Sequence, residues 1–188
     1  MTRTLTSDLF ITVDGYALGD GAGAYFGYPG PDLDRWISEQ LSRPQPLVMG
    51  RVTYQAMAAA ATSSGSAPGE DANATRMTEL PKVVVSSTLS EPLVWPNTTL
   101  LHGDAASLVR TLKHSRGDPL RTIGSLSLVS HFLRHGLVDR LRLMVFPVIL
   151  GRTGREPVLR DVPDVRLELV GSQLLDDRLV CLEYAPFR

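Results

Sequence analysis

Two spacings of apolar residues alternate along the whole chain, one close to the strand repeat of two and one close to the helical repeat of about 3.6. Leu5 to Val13 reads as a strand, with Leu9, Ile11 and Val13 on one face, and a loop rich in Gly, Tyr and Pro follows from Asp14 to Pro31. Leu33, Trp36, Ile37 and Leu41 recur at helical spacing, which predicts a helix over Asp32 to Ser42 closed by Pro44 and Pro46. Pro46 to Gly50 is a short buried strand and Arg51 to Ala60 an Ala-rich helix. Thr62 to Glu70 is polar and rich in Ser, Gly, Ala and Pro, the composition of a surface excursion. Strands are expected at Lys82 to Ser86 and Thr99 to His102, then a helix capped by Asp104 that buries Leu108, Val109 and Leu112 and stops near Gly117. A strand from Leu120 to Gly124, a helix from Leu126 to His135 and a long strand from Leu141 to Leu150 follow. Arg166 to Val170 and Arg178 to Tyr184 close the chain as a hairpin.

Strands interleaved with helices require a mostly parallel sheet covered on both faces, and the terminal hairpin adds an antiparallel edge. The expected architecture is therefore an α/β, three-layer α-β-α fold with a mixed sheet of about eight strands, and residues 1–188 read as one domain. A formal net charge of −1 argues against nucleic acid or an anionic membrane as the main partner, so any anion site must be local. Cys181 is the sole cysteine, which excludes an internal disulfide and fits a reducing compartment. No apolar run reaches the roughly 18 residues of a membrane span, and the N-terminus lacks the basic-then-apolar pattern of a leader, so a cytoplasmic protein is expected.

Gly19-x-Gly21-x-x-Ala24 formally matches a dinucleotide fingerprint, but Tyr25 to Pro31 cannot open the helix that such a motif needs, and a glycine-rich loop is the better reading. Two strand-to-helix junctions carry more: Gly50 into Arg51-Val52-Thr53, and Ile123-Gly124 into Ser125-Leu126. Ligands of open α/β sheets bind outside the carboxyl ends of strands, where helix N-termini offer free N–H groups to phosphate. Arg51 would add charge and Thr53 a hydroxyl, while Ser86 and Ser87 end another strand, with Lys82 close by in sequence. Tight αβ turns without a ligand are the competing reading. Asp14 closes the first strand, and Asp32 and Asp34 open the first helix; each is either a turn or cap residue or a carboxylate facing a cleft. His131 and His135 lie four apart, but no third ligand is evident, and no metal site is expected.

Several of these segments together resemble one family. Thr12-Val13-Asp14-Gly15-Tyr16, Gly50-Arg51-Val52-Thr53-Tyr54, Lys82 to Leu89, Ile123-Gly124-Ser125 and Phe146 to Gly151 stand in the order found in dihydrofolate-reductase-like proteins. The closest likeness is to those related to the C-terminal reductase domain of riboflavin-biosynthesis enzymes. The resemblance implies that fold and NADPH as cofactor. It implies that Gly50, Arg51 and Thr53 hold phosphates, that Ser86 and Ser87 lie near the adenosine 2′-phosphate, and that Ile123, Gly124, Ser125 and Leu126 form the turn against the pyrophosphate. Asp14 and Gly15 would approach the nicotinamide and substrate, and Asp34, or else Asp32, matches the acid that anchors substrate. The expected protein is an oxidoreductase passing hydride to a small heterocycle, pteridine or pyrimidine-like, as 5-amino-6-(5-phosphoribosylamino)uracil reductases do. Asp34 or a water near Asp14 would assist proton delivery. The alternative is a non-catalytic nucleotide-binding or sensor protein with the same fold. A homodimer through the Leu141–Leu150 strand or the terminal hairpin is compatible with either.

Overall fold

The computed structural model of the protein describes residues 2–63 and 72–187. Its elements run β1 (Leu5–Thr12), β2 (Tyr16–Gly19), α1 (Pro31–Leu41), β3 (Leu47–Gly50), α2 (Arg51–Ser63), α3 (Ala72–Glu79), β4 (Lys82–Val85) and β5 (Thr98–Leu101). They continue with α4 (Ala105–His114), β6 (Leu120–Thr122), α5 (Leu126–Arg134), β7 (Arg140–Phe146), β8 (Gly154–Pro157), β9 (Leu167–Leu175) and β10 (Leu179–Pro186). Eight strands form one sheet in the order β5-β4-β3-β6-β1-β7-β10-β9, and β2 pairs with β8 in a separate ribbon. Every pair from β5 to β7 is parallel, and β10 and β9 join antiparallel. This is the α/β arrangement expected from the alternation of periods.

Residue parity in the strands divides the core. Leu5 and Leu9 of β1, Val48 of β3 and Leu120 of β6 pack against Val109 of α4 and Val129 and Phe132 of α5. On the opposite face Leu33 and Trp36 of α1 meet Met144 and Phe146 of β7, while Tyr54 and Ala58 of α2 cover Leu47, Met49 and Val84. Strands buried on both faces read as continuous apolar runs, which is why β3 and β4 were legible despite their shortness. Cys181 belongs to this core, and burial pushes its thiol up to about 11.

The differences from the sequence reading are local. The strand expected to reach Leu150 stops at Phe146, where Pro147 has no N–H to donate. The strand expected through Gly124 ends at Thr122. The polar stretch expected over 62–70 lies outside the described residues beyond Ser63. Helix α3 and the β2–β8 ribbon were not expected. Lys82, which stood near the candidate phosphate residues in sequence, is at the amino end of β4 and fully buried. Its ammonium donates to the carbonyls of Met77, Thr78 and Leu80 and lies 4.6 Å from the Trp95 ring centroid, so it closes the end of α3 instead. Burial lowers its pKa to about 8.

The N-terminus of α1 is capped from 144 residues away. Asp176, in the β9–β10 turn, accepts hydrogen bonds from the backbone N–H of Asp32 (2.9 Å) and Leu33 (3.0 Å). Asp32 returns the contact by accepting from the Asp176 N–H at 3.1 Å. Asp32 is therefore a hairpin anchor rather than a cap of its own helix. Because a lost cap leaves helix N–H groups without an acceptor, Asp176→Ala is expected to lower unfolding stability by about 1–2 kcal/mol in urea titration, with the sheet intact by circular dichroism.

Candidate active site

Parallel strands deliver all their carboxyl ends to one rim. At that rim β3 ends at Gly50 and runs directly into α2, and beside it β6 passes through Ile123 and Gly124 into α5. The two junctions mesh. A Cβ on Gly50 would stand 2.7 Å from Ser125 Oγ, and a Cβ on Gly124 would stand 2.8 Å from Thr53 Oγ1. Gly124 also has φ +126°, a region L residues rarely occupy, and the Gly124–Ser125 peptide bond is cis. Ser125 is the N-cap of α5 but makes no side-chain cap bond; its hydroxyl lies 3.1 Å from that of Ser127.

Below the rim lies a cavity of about 560 Å³. Phe10, Ile37, Val52, Met57 and Met77 give it apolar walls, and Thr53 with Ile123 to Ser127 line its junction side. Tyr25, from the glycine-rich loop, closes one flank and stacks parallel on Phe146 at 6.5 Å. That loop contains a single 3-10 turn, Ala24–Gly27, with Tyr25 and Phe26 at positive φ. The ribbon of β2 and β8 contributes Ala17, Leu18 and Glu156.

The cavity reaches a buried ionic group that the sequence did not single out. Asp8 of β1 receives Arg142 of β7 in a two-point contact, Nε to Oδ1 at 2.6 Å and Nη2 to Oδ2 at 2.9 Å. Arg121 of β6 donates Nε to the same Oδ2 at 2.5 Å, and its Nη2 is ion-paired with that oxygen at 2.5 Å. Arg142 Nη1 is taken by Gln40 Oε1 of α1, and both guanidinium groups lie near the Trp36 ring, at 5.1 and 5.9 Å. Burial pushes Arg121 below the usual guanidinium value, Asp8 opposes that, and Arg142 and Arg43 add to it. The signal that would have found this group is parity: Asp8, Arg121 and Arg142 occupy inward positions on three central strands, where a charge needs a partner.

The other sequence-predicted residues divide by place. Gly50 and Thr53 meet Gly124 and Ser125 at the junctions, with Ile123 and Leu126 beside them, and Arg51 is exposed with its guanidinium 3.0 Å from Gln55 Oε1. Ser86 follows β4, and its hydroxyl accepts from the N–H groups of Thr88 and Leu89, while Ser87 beside it is exposed. Asp14 is exposed, and Asp34 is exposed on α1; neither contributes to the cavity lining. Gly15 takes φ +81°, and its carbonyl accepts from Val158 N–H at 2.9 Å. Among the described residues no group of three or more His, Cys, Asp or Glu is placed to hold a metal, and no helix is long and apolar enough to cross a membrane.

A family model described as the RibD C-terminal domain matches residues 3–181. The chain is 24% identical over 183 residues to the uncharacterized protein YyaP of Bacillus subtilis (strain 168), covering 97% of this chain and 94% of that protein. Among solved structures it is similar to a putative riboflavin biosynthesis protein from Shewanella sp. PV-4, with TM-score 0.77, 21% identity and full coverage of both chains. A pyrimidine reductase-like protein from Corynebacterium diphtheriae matches with TM-score 0.68 and 15% identity over 99% of this chain and 92% of that one. A diaminohydroxyphosphoribosylaminopyrimidine deaminase/5-amino-6-(5-phosphoribosylamino)uracil reductase from Thermotoga maritima matches with TM-score 0.66 and 17% identity, over 99% of this chain and 57% of that one. With the family model spanning nearly the whole length and the sheet order in place, the chain belongs to the RibD C-terminal domain family, of dihydrofolate-reductase-like fold.

Proposed function

We propose that the protein is an NADPH-dependent reductase that passes a hydride to a small heterocycle of pteridine or pyrimidine type. The observation that carries this reading is the meshed pair of junctions: two helix N-termini side by side at the mouth of one apolar-walled cavity. Glycines stand where added side chains would collide, so backbone N–H groups come within reach of phosphate oxygens, and the positive ends of both helix dipoles favour an anion there. The residues present therefore fit a dinucleotide. Gly50, Arg51 and Thr53 would hold one part of its phosphates, Gly124, Ser125 and Leu126 the other, and Ser87 is exposed just beyond β4. When bound, NADPH supplies the hydride.

The chain's own share is to orient the ring and keep water out, through Phe10, Ile37, Val52 and Met57. Asp14 acts by position. Thr12 Oγ1 donates to its carboxylate at 2.6 Å, and the N–H groups of Leu150 and Gly151 donate at 3.1 and 2.8 Å. The Thr12 hydroxyl first, then the Gly151 N–H, hold its pKa below the usual Asp value, so it stays ionised at neutral pH and ties the end of β1 to the segment leading into β8. That tie sets the β2–β8 ribbon over the cavity. A homodimer also belongs to this proposal: Leu169, Val170 and Leu174 on edge strand β9 are exposed, which supports pairing with a second copy.

NADPH added to the purified protein should bind saturably in fluorescence or calorimetry, and the absence of binding at millimolar cofactor would remove the reading. Oxidation of NADPH across a panel of pterins and pyrimidinones separates a reductase from a sensor that only binds. Gly124→Ala places a Cβ against Thr53 at a positive φ, at a cost of about 1–3 kcal/mol, so NADPH affinity should drop about tenfold or more while the sheet persists. For Asp14 the sign follows from its lowered pKa: the tie is present above the unfolded Asp value and is lost as pH falls through the lower folded value. The Leu150 and Gly151 amide resonances should therefore move together below about pH 4 and lose that titration in Asp14→Asn.

A further inference from the structure

Three charged side chains line the cavity under the junctions: Asp8, Arg121 and Glu156. Asp8 and Arg121 are committed to each other, with Arg142 as the third member of their group. Glu156 of β8 is not committed: it is exposed, and its side chain has no hydrogen bond or ion pair among the described residues. Its neighbour Arg155 gives the contrast, since that guanidinium is held by the Asp20 carboxylate. The backbone of β8 also leaves ordinary strand geometry at Glu156, with φ +55°, a region where residues bearing a side chain are uncommon. Such outliers collect at ligand sites, and here the outlier is the residue that carries the cavity's free carboxylate.

Counting every charge shows what decides the ligand. Asp8, Arg121 and Arg142 sum to a formal +1, and Glu156 brings the total to zero, so net charge does not choose. Access does. Arg142 and Arg43 do not line the cavity, and Arg121 turns Nε and Nη2 to Asp8 while its Nη1 is closed from solvent. Both Asp8 oxygens are occupied by guanidinium donors. The two Glu156 oxygens are therefore the charged acceptors within a ligand's reach, set beside the apolar Ala17 and Leu18 of the same ribbon. A carboxylate only accepts. A ring N–H that meets it makes a charge-assisted bond, whereas an anionic edge meets like charge.

We infer that Glu156 binds the N–H donor edge of a ring held in this cavity, and so acts as a specificity residue favouring an amino-bearing heterocycle over one that presents an anion or no donor there. This deepens the reductase reading and rests on the cavity being the substrate site, but it does not depend on the cofactor.

The test is equilibrium binding to the full chain without cofactor, by calorimetry or ligand-observed NMR. Four probes are used: 2,4-diaminopyrimidine for a basic donor edge, isocytosine for a neutral one, 2,4-dimethylpyrimidine for the same ring without donors, and orotate for an anion. At least one donor-bearing ring is expected to bind about fivefold or more tightly than 2,4-dimethylpyrimidine and orotate; water competing at an exposed carboxylate keeps the factor modest. The tighter of the two donor rings identifies the preferred edge. Glu156→Gln is expected to weaken that ring about fivefold and to leave 2,4-dimethylpyrimidine unchanged. No binding of either donor ring at millimolar concentration, equal or tighter binding of 2,4-dimethylpyrimidine or orotate, or unchanged affinity in Glu156→Gln overturns the inference. Because Glu156 has no partner in the fold, the urea midpoint of Glu156→Gln should match that of the parent chain, and a destabilised variant overturns the inference by giving the side chain a structural role. NADPH affinity measured on the same samples separates the two readings: ring binding that needs Glu156 stands where the cofactor does not bind, and cofactor binding without it leaves the reductase reading in place.

Discussion

A single buried carboxylate, Asp8, holds two guanidinium groups together at the centre of the sheet. It sits on β1, the strand between β6 and β7, in register with Arg142 and two residues from the position opposite Arg121. Side-chain parity does the rest: all three project to the α1 side, where Gln40 and Trp36 meet them. Ion pairs removed from water are weak contributors to stability, since the desolvation of each charge offsets most of the attraction. Apolar residues of similar volume would hold these strands as well. The arrangement fixes register, because a slip of one residue would place a lone charge on the opposite face, among Leu5, Leu9, Leu120 and Leu141. It also borders the cavity under the two junctions, which Asp8 and Arg121 help to line.

The rim of that cavity has a different origin. Parallel pairing of β3 with β6 places two strand-to-helix junctions in contact, and each glycine accepts the other junction's hydroxyl-bearing side chain: Gly50 with Ser125, Gly124 with Thr53. Adding a Cβ at either glycine pushes the junctions apart, so the backbone itself sets the shape of the mouth. Backbone N–H groups and helix ends recognise phosphate by geometry and dipole, with little demand on which side chains surround them. Each junction is a strand end that enters a helix through a glycine, a pattern short enough to be read from the sequence.

Legibility followed the strength of periodic burial. β1, β3, β4, β6 and the helices α1, α4 and α5 were readable because each places apolar residues at one repeat against the core. β2 and β8 were not, since each is four residues long, partly exposed and completed only by the other. α3 contains no buried residue, and its end is held by Lys82 from the next strand, a contact that no local pattern announces. Asp176 capping α1 across 144 residues is invisible for the same reason. At the site, the glycine junctions were legible and the ionic floor was not. Asp8 and the two arginines look like ordinary surface charges until the strand order shows that they lie in the middle of the sheet.

These two halves place the carboxylates in a new light. Asp14 and Asp34 were candidates because an acid near the first-strand loop or the first helix suits a ring rich in N–H donors. Asp14 is instead committed to Thr12, Leu150 and Gly151, and Asp34 is turned to solvent. Two carboxylates line the cavity: Asp8, both of whose oxygens are taken by arginine, and Glu156 on the exposed part of β8. The mouth is written in backbone and glycine and the ionic group in three side chains from three strands, so the first shows in a short stretch of sequence and the second only once the strand order is known.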